Sequence, residues 1–155
     1  MKAIHWIIAA AAFAFGQAAQ AGINDPEVII YRFPGVFDNG GDIDMGTATV
    51  FHCTNFSGVP ENTRFVTRDF DGTLKSNRFA TVNHLSTLTM STHATAACFD
   101  FSLFTNAVTQ GTTAIAATSI NIICTAMTID AANPLRPDGV ALRGIRFNPV
   151  PGSQE

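Results

Sequence analysis

The chain has 155 residues, with 9 Lys and Arg against 12 Asp and Glu. This length suits one domain and is enough to bury a real core without depending on covalent staples. The acids are scattered, and the bases form neither the stripe that nucleic acid requires nor a basic amphipathic helix for a membrane surface.

Residues 1–21 are expected to be a cleaved signal peptide. Lys2 provides a positive start, Trp6–Phe15 (WIIAAAAFAF) is an apolar run of h-region length, and Ala19-Gln20-Ala21 is a small-x-small cleavage site. Ten apolar residues cover about half of a bilayer core, too little for a spanning anchor. No cysteine follows the run to take a lipid, and the ending NPVPGSQE carries neither an apolar tail nor a sorting signal. The expectation is an exported protein, periplasmic or secreted, with residues 22–155 as a single domain of 8 basic and 12 acidic residues.

Beyond the leader no segment holds an apolar period of 3.6. Short runs rich in Thr, Val, Ile and Phe recur between Gly, Pro, Asn and Asp, which is the all-β pattern. Val28–Phe33 is the first expected strand, closed by Pro34-Gly35 and followed by a loop over Val36–Met45. Thr47–Asn55 is the second, ending at the turn Ser57-Gly58-Val59-Pro60. Thr63–Phe70 stops at Asp71-Gly72, a dipeptide suited to the positive φ of a tight hairpin, and Thr73–Phe79 is a weaker return strand.

Ser86–Thr92 alternates, with Leu88 and Met90 opposite Thr87 and Thr89. Ala97–Phe104 alternates as well, placing Phe99, Phe101 and Leu103 on one face and Cys98, Asp100 and Ser102 on the other. Gln110-Gly111 reads as a turn before Thr113–Thr118. Ile120–Ile129, a loop with Pro134 and Pro137, and Val140–Phe147 complete the chain. In the last run the apolar phase shifts at Gly144, which predicts a bulge. Seven to nine short strands predict a single antiparallel β-sandwich of the immunoglobulin-like kind, with a closed barrel as its competitor. The 11 Phe residues past the leader mostly take apolar phases and are expected in the core.

Three cysteines in an exported chain predict one disulfide and one leftover thiol. Cys53 shares its phase with Thr49 and Phe51, and Cys124 with Ile120, Ile122 and Ala126, so both point inward. They are expected on facing strands in opposite layers of the core, close enough to join. Such a bridge closes a loop of about 70 residues, worth roughly 4 kcal/mol in the chain-entropy picture. Cys98 then remains a free thiol, available for an intermolecular bridge or buried at a strand end, with His93 its only local activator.

Two metal sites are chemically conceivable. His84-x5-Met90-x2-His93 offers ligands soft enough for copper, although no late loop gathers Cys, His and Met together. Asp38, Asp42 and Asp44 lie on a glycine-loosened loop that would suit calcium, without the Glu that an EF-hand loop needs. His52 and Cys53 fall on opposite faces. No G-x-S-x-G elbow, H-E-x-x-H pair or glycine-rich phosphate loop is present, so no enzymatic activity, catalytic residue or other cofactor is expected.

The phrases TATVFHCTNFSG, SINIICTAMTID and RFNPVPGSQE together resemble small exported bacterial β-sandwich proteins, immunoglobulin-like and without an assigned activity. The resemblance implies a sandwich and export, and lends no catalytic residue. The expected role is a non-enzymatic exported domain acting in binding or assembly, through a protein partner or self-association. Val28–Phe33, reached through Gly22–Glu27, is a candidate to add to a partner's sheet. The alternative role is a periplasmic metal-binding protein.

Overall fold

A computed structural model describes residues 22–133 and 138–147; residues 1–21, the expected signal peptide, lie outside them. Every regular element in it is a strand. These are β1 (Val28–Asp38), β2 (Thr47–Asn55), β3 (Glu61–Arg68), β4 (Leu74–Val82), β5 (Thr87–Ser91), β6 (Phe101–Ser102), β7 (Val108–Ala117), β8 (Ile122–Asp130), β9 (Gly139–Leu142) and β10 (Ile145–Arg146). They form two sheets of five, ordered β10-β1-β7-β3-β4 and β6-β5-β2-β8-β9. Pairing is antiparallel except between β5 and β6. The architecture is a β-sandwich.

The core follows from period-2 alternation on both layers. Phe33 of β1 and Phe65 of β3 come from one sheet and Phe51 of β2 from the other. Their ring centroids lie 5.7 Å (Phe33–Phe51) and 6.0 Å (Phe51–Phe65) apart, so Phe51 wedges between the facing layer's two rings. Ile30, Val36, Ile115 and Ile122 fill the space around them. Only these three Phe residues are fully buried. The other eight (Phe37, Phe56, Phe70, Phe79, Phe99, Phe101, Phe104 and Phe147) are exposed, against the expectation of a phenylalanine core. Three internally packed rings already span the gap between the layers.

Cys53 and Cys124 are bonded, as their inward phases require, but not between layers. They sit directly opposite each other on neighbouring strands β2 and β8 of one sheet, with Cα atoms 4.1 Å apart. Inward phase defines a face of the sheet; it does not say which strand is next door.

Several local readings change for physical reasons. Pro34-Gly35 does not end the first strand. Pro34 lies at a bulge on a stretch that β10 no longer covers, the two settings in which a strand tolerates proline, and Gly35 takes the positive φ of 80°. Gln110-Gly111 is likewise a bulge inside β7 rather than a turn, with Gln110 at φ 51°. The expected strand Ala97–Phe104 shrinks to Phe101–Ser102, and its proposed apolar face divides: Leu103 is buried, whereas Phe99 is 93% exposed.

The phase shift at Gly144 is not a bulge. There the chain leaves one sheet, where β9 pairs with β8, and enters the other, where β10 pairs with β1. A Cβ at Gly144 would stand 2.4 Å from the Phe33 ring, so the crossover needs glycine's bare backbone for close approach. Asp71-Gly72 does close the β3–β4 hairpin, with Gly72 at φ 85°. Finally, β1 is not a free donor strand. It is paired on both sides, and Ile30, Phe33 and Val36 are buried in its own core. The approach to it is pinned by a two-point contact of Arg64 Nε and Nη2 with the Glu27 carboxylate, at 2.5 and 3.2 Å.

Candidate functional site: a cleft at the open side of the sandwich

On one flank the layers end in β4 and in the two-residue β6, and between these edges lies a cleft of about 1020 Å³. Its walls are Lys75–Ala80 of β4, the segment Asp100–Phe104 with Asn106, Asp38 at the end of β1 and the loop residues Gly40–Ile43; Met90 and His93 also line it. The chain passes from β6 to β7 across this flank. Ser76 Oγ donates to the Leu103 carbonyl at 2.7 Å and ties the crossing to β4.

Arg78 is the unusual member of the wall. It shares its phase with Ser76, Ala80 and Val82 and pairs with the fully buried Phe65, so it points to the core side of an edge strand. Its guanidinium lies 4.7 Å from the centre of the Phe104 ring. At that range a cation is attracted to an aromatic face, by about 0.5–1 kcal/mol where solvent reaches it. Phe104 is 64% exposed and adopts φ 54°, and Asn106 adopts φ 53°. A bulky residue in the left-handed region is strained, and such strain collects at functional sites. Phe101 adds a second exposed ring to the lining, and Phe99 packs edge-on against it at 6.3 Å; the Phe79 ring is on the outer face of β4, 5.2 Å from the Arg64 guanidinium.

At one end of the cleft Asp38 and His93 form a buried pair. His93 Nδ1 is 2.6 Å from Asp38 Oδ2, and Nε2 is 2.9 Å from the Met45 carbonyl oxygen. Since a carbonyl only accepts, Nε2 donates. The other nitrogen then either donates to the carboxylate or accepts its proton, and neither ring atom keeps a free lone pair. Asp38 Oδ1 accepts the Gly40 N–H at 2.7 Å. The pair therefore clasps the 39–46 loop onto the end of β5.

The residues singled out as metal ligands are largely dispersed. His84 and His93 lie at opposite ends of β5; His84 Nδ1 accepts the Gly58 N–H at 3.0 Å, and Met90 is buried in the core. Of the loop carboxylates, Asp38 turns inward to His93 while Asp42 and Asp44 are exposed. Among the described residues no group of three or more His, Cys, Asp and Glu side chains is placed to hold one ion.

Cys98 is unpaired and half-buried. Burial pushes its thiol above the ordinary value, the Asp100 charge adds to the rise, and a hydrogen bond with Thr95 opposes it. His52 lies on the face opposite Cys53, 3.0 Å from Thr89 Oγ1; burial lowers its pKa, against a smaller upward pull from Asp100.

Sequence reading overlooked Lys75, Arg78, Phe101 and Phe104 as site residues. One signal was legible: Arg78 occupies the apolar phase of its strand, where a core-facing position would carry Val or Ile. No protein family, curated protein or solved structure matches the chain. No helix among the described residues is long and apolar enough to cross a membrane.

Proposed function

We propose that this protein is a non-enzymatic exported domain that acts by binding, and that the cleft between the β4 and β6 edges is its recognition surface. The observation that carries the reading is the company of side chains there: exposed Phe101 and Phe104 beside an Arg held on an aromatic face. Exposed apolar area gathered beside a concave surface marks interaction sites, whereas scattered apolar residues do not. Export is supported by the leader-like residues 1–21 and by the bonded Cys53–Cys124, since disulfides persist in oxidising compartments. The two-layer fold supports an immunoglobulin-like type. The bridge within one sheet is unlike the bridge between sheets of antibody domains. The metal-binding alternative has less behind it, because its expected ligands are spread over separate parts of the fold.

The test is amide chemical-shift mapping of the isotope-labelled protein against a probe set of short peptides, oligosaccharides and fatty acids. Shifts concentrated at residues 75–80 and 100–106, and abolished in a Phe101→Ser, Phe104→Ser double variant, are expected. Shifts confined to other surfaces, or none with any probe, would overturn the assignment.

A further inference from the structure

β4 is the longest edge strand of the sandwich. Its nine residues pair with β3 on one side and with no described strand on the other, while β6 and β10 have two residues each and β9 has four. A long bare edge presents unpaired N–H and C=O groups, which a passing strand can take up. Natural edges are guarded against this, and a charge pointing to the core side is one of the guards. Arg78 is that charge: any strand laid against β4 sets its own inward side chains beside the guanidinium.

The guard is selective rather than absolute. A strand with an apolar residue opposite Arg78 would desolvate an unpaired cation, and a strand with a base there would repel it. A carboxylate would satisfy it. Among the described residues Arg78 has no acidic partner of its own, whereas Lys75 is 3.6 Å from Asp69. A second copy is a poor occupant, because β4 contains Lys75 and Arg78 and no Asp or Glu.

Resting on the binding role argued above, we propose that the cleft receives an extended peptide strand of a partner protein, added to the β4 edge. Its inward positions carry apolar side chains against Phe101 and Phe104, and one carboxylate that pairs with Arg78. Main-chain bonds to β4 supply affinity, and Arg78 supplies the choice of partner.

The probes are three peptides, acetyl-Ser-Val-Thr-Glu-Thr-Val-Ser-amide and its counterparts with Gln or Lys at the central position. Each is titrated against the full chain while amide shifts and amide exchange are followed. The Glu peptide is expected to bind about tenfold more tightly than the Gln peptide, which corresponds to about 1.4 kcal/mol. It should also slow exchange along β4. Arg78→Glu should reverse the order, so that the Lys peptide binds best; this gain keeps the test informative even if the variant is less stable. Equal affinity for the three peptides, or protection on β9 instead of β4, would overturn the inference. If no peptide binds while other probes still shift residues 75–80 and 100–106, the peptide inference falls and the binding cleft stands. Silence from every probe refutes both.

Discussion

Replacing Gly144 by Ala tests the sheet-to-sheet crossover with a single methyl group. The backbone of Gly144 is not in the left-handed region, so alanine meets no torsional objection and the cost is purely steric. The new Cβ would stand 2.4, 2.7 and 3.0 Å from three carbons of the Phe33 ring. Carbon atoms rest about 3.5–4.0 Å apart, so ring or strand must retreat by about 1 Å. Phe33 has little room, being stacked 5.7 Å from Tyr31 on one side and set 5.7 Å from Phe51 on the other. Overpacking of this kind costs about 1–3 kcal/mol, and the rigidity of the ring stack places Gly144→Ala toward the upper end.

Urea denaturation gives the readout. With a slope of about 1–3 kcal/mol per molar, the midpoint should fall by about 1–2 M. The decisive comparison is a double-mutant cycle with Phe33→Leu, which removes the ring edge nearest the new methyl. The penalty of Gly144→Ala should drop by at least about 0.5–1 kcal/mol in that background, as expected for residues in contact. A midpoint unchanged by Gly144→Ala, or the same penalty with and without the Phe33 ring, would refute the packing of the crossover against Phe33.

Three further outcomes follow from the structure. Cys53 and Cys124 are 71 residues apart in sequence, so reduction or a Cys53→Ala, Cys124→Ala pair should lower stability by about 4 kcal/mol; alkylation without reductant should label one thiol by intact mass, and three labels would remove the bridge. Asp38→Ala should cost about 1–3 kcal/mol, because it leaves Nδ1 of the buried His93 and the Gly40 N–H without their hydrogen-bond partner; a loss below about 0.5 kcal/mol by thermal or urea unfolding would show that the pair contributes little beyond a solvated contact. Cys98 should react with iodoacetamide more slowly than free cysteine at pH 8, since burial and Asp100 raise its pKa and deplete the thiolate. The folded state holds that proton more tightly than the unfolded one. The stability it contributes is therefore complete below the ordinary thiol pKa and lost as pH rises through the folded value, a slope that Cys98→Ser should remove.

Much of the fold was legible in residue order because alternation is a local property. Leu88 and Met90 against Thr87 and Thr89, the inward phases of Cys53 and Cys124, and the Asp71-Gly72 hairpin all depend on residues a few positions apart. Their strands lie where the pattern puts them, within one to three residues at each end. The cleft was not legible. Lys75, Arg78, Phe101 and Phe104 become neighbours only because the chain crosses from β6 to β7 over the flank of β4, and no local spacing encodes that crossing. Likewise, apolar phase placed most of the Phe residues inward, but whether an inward phase is buried depends on whether the facing layer extends that far.

The chain's own pattern of apolar and polar residues determined that it is built of strands, which faces those strands bury, and that two cysteines share the inward side. Tertiary structure alone decided that the bridge joins neighbours in one sheet, that Gly144 marks a passage between sheets, and that Arg78 stands at the mouth of a cleft. The reason is physical. A period of two specifies a face, while strand adjacency is set by pairings across tens of residues, where the geometry of the whole core chooses among orders that local pattern leaves equal.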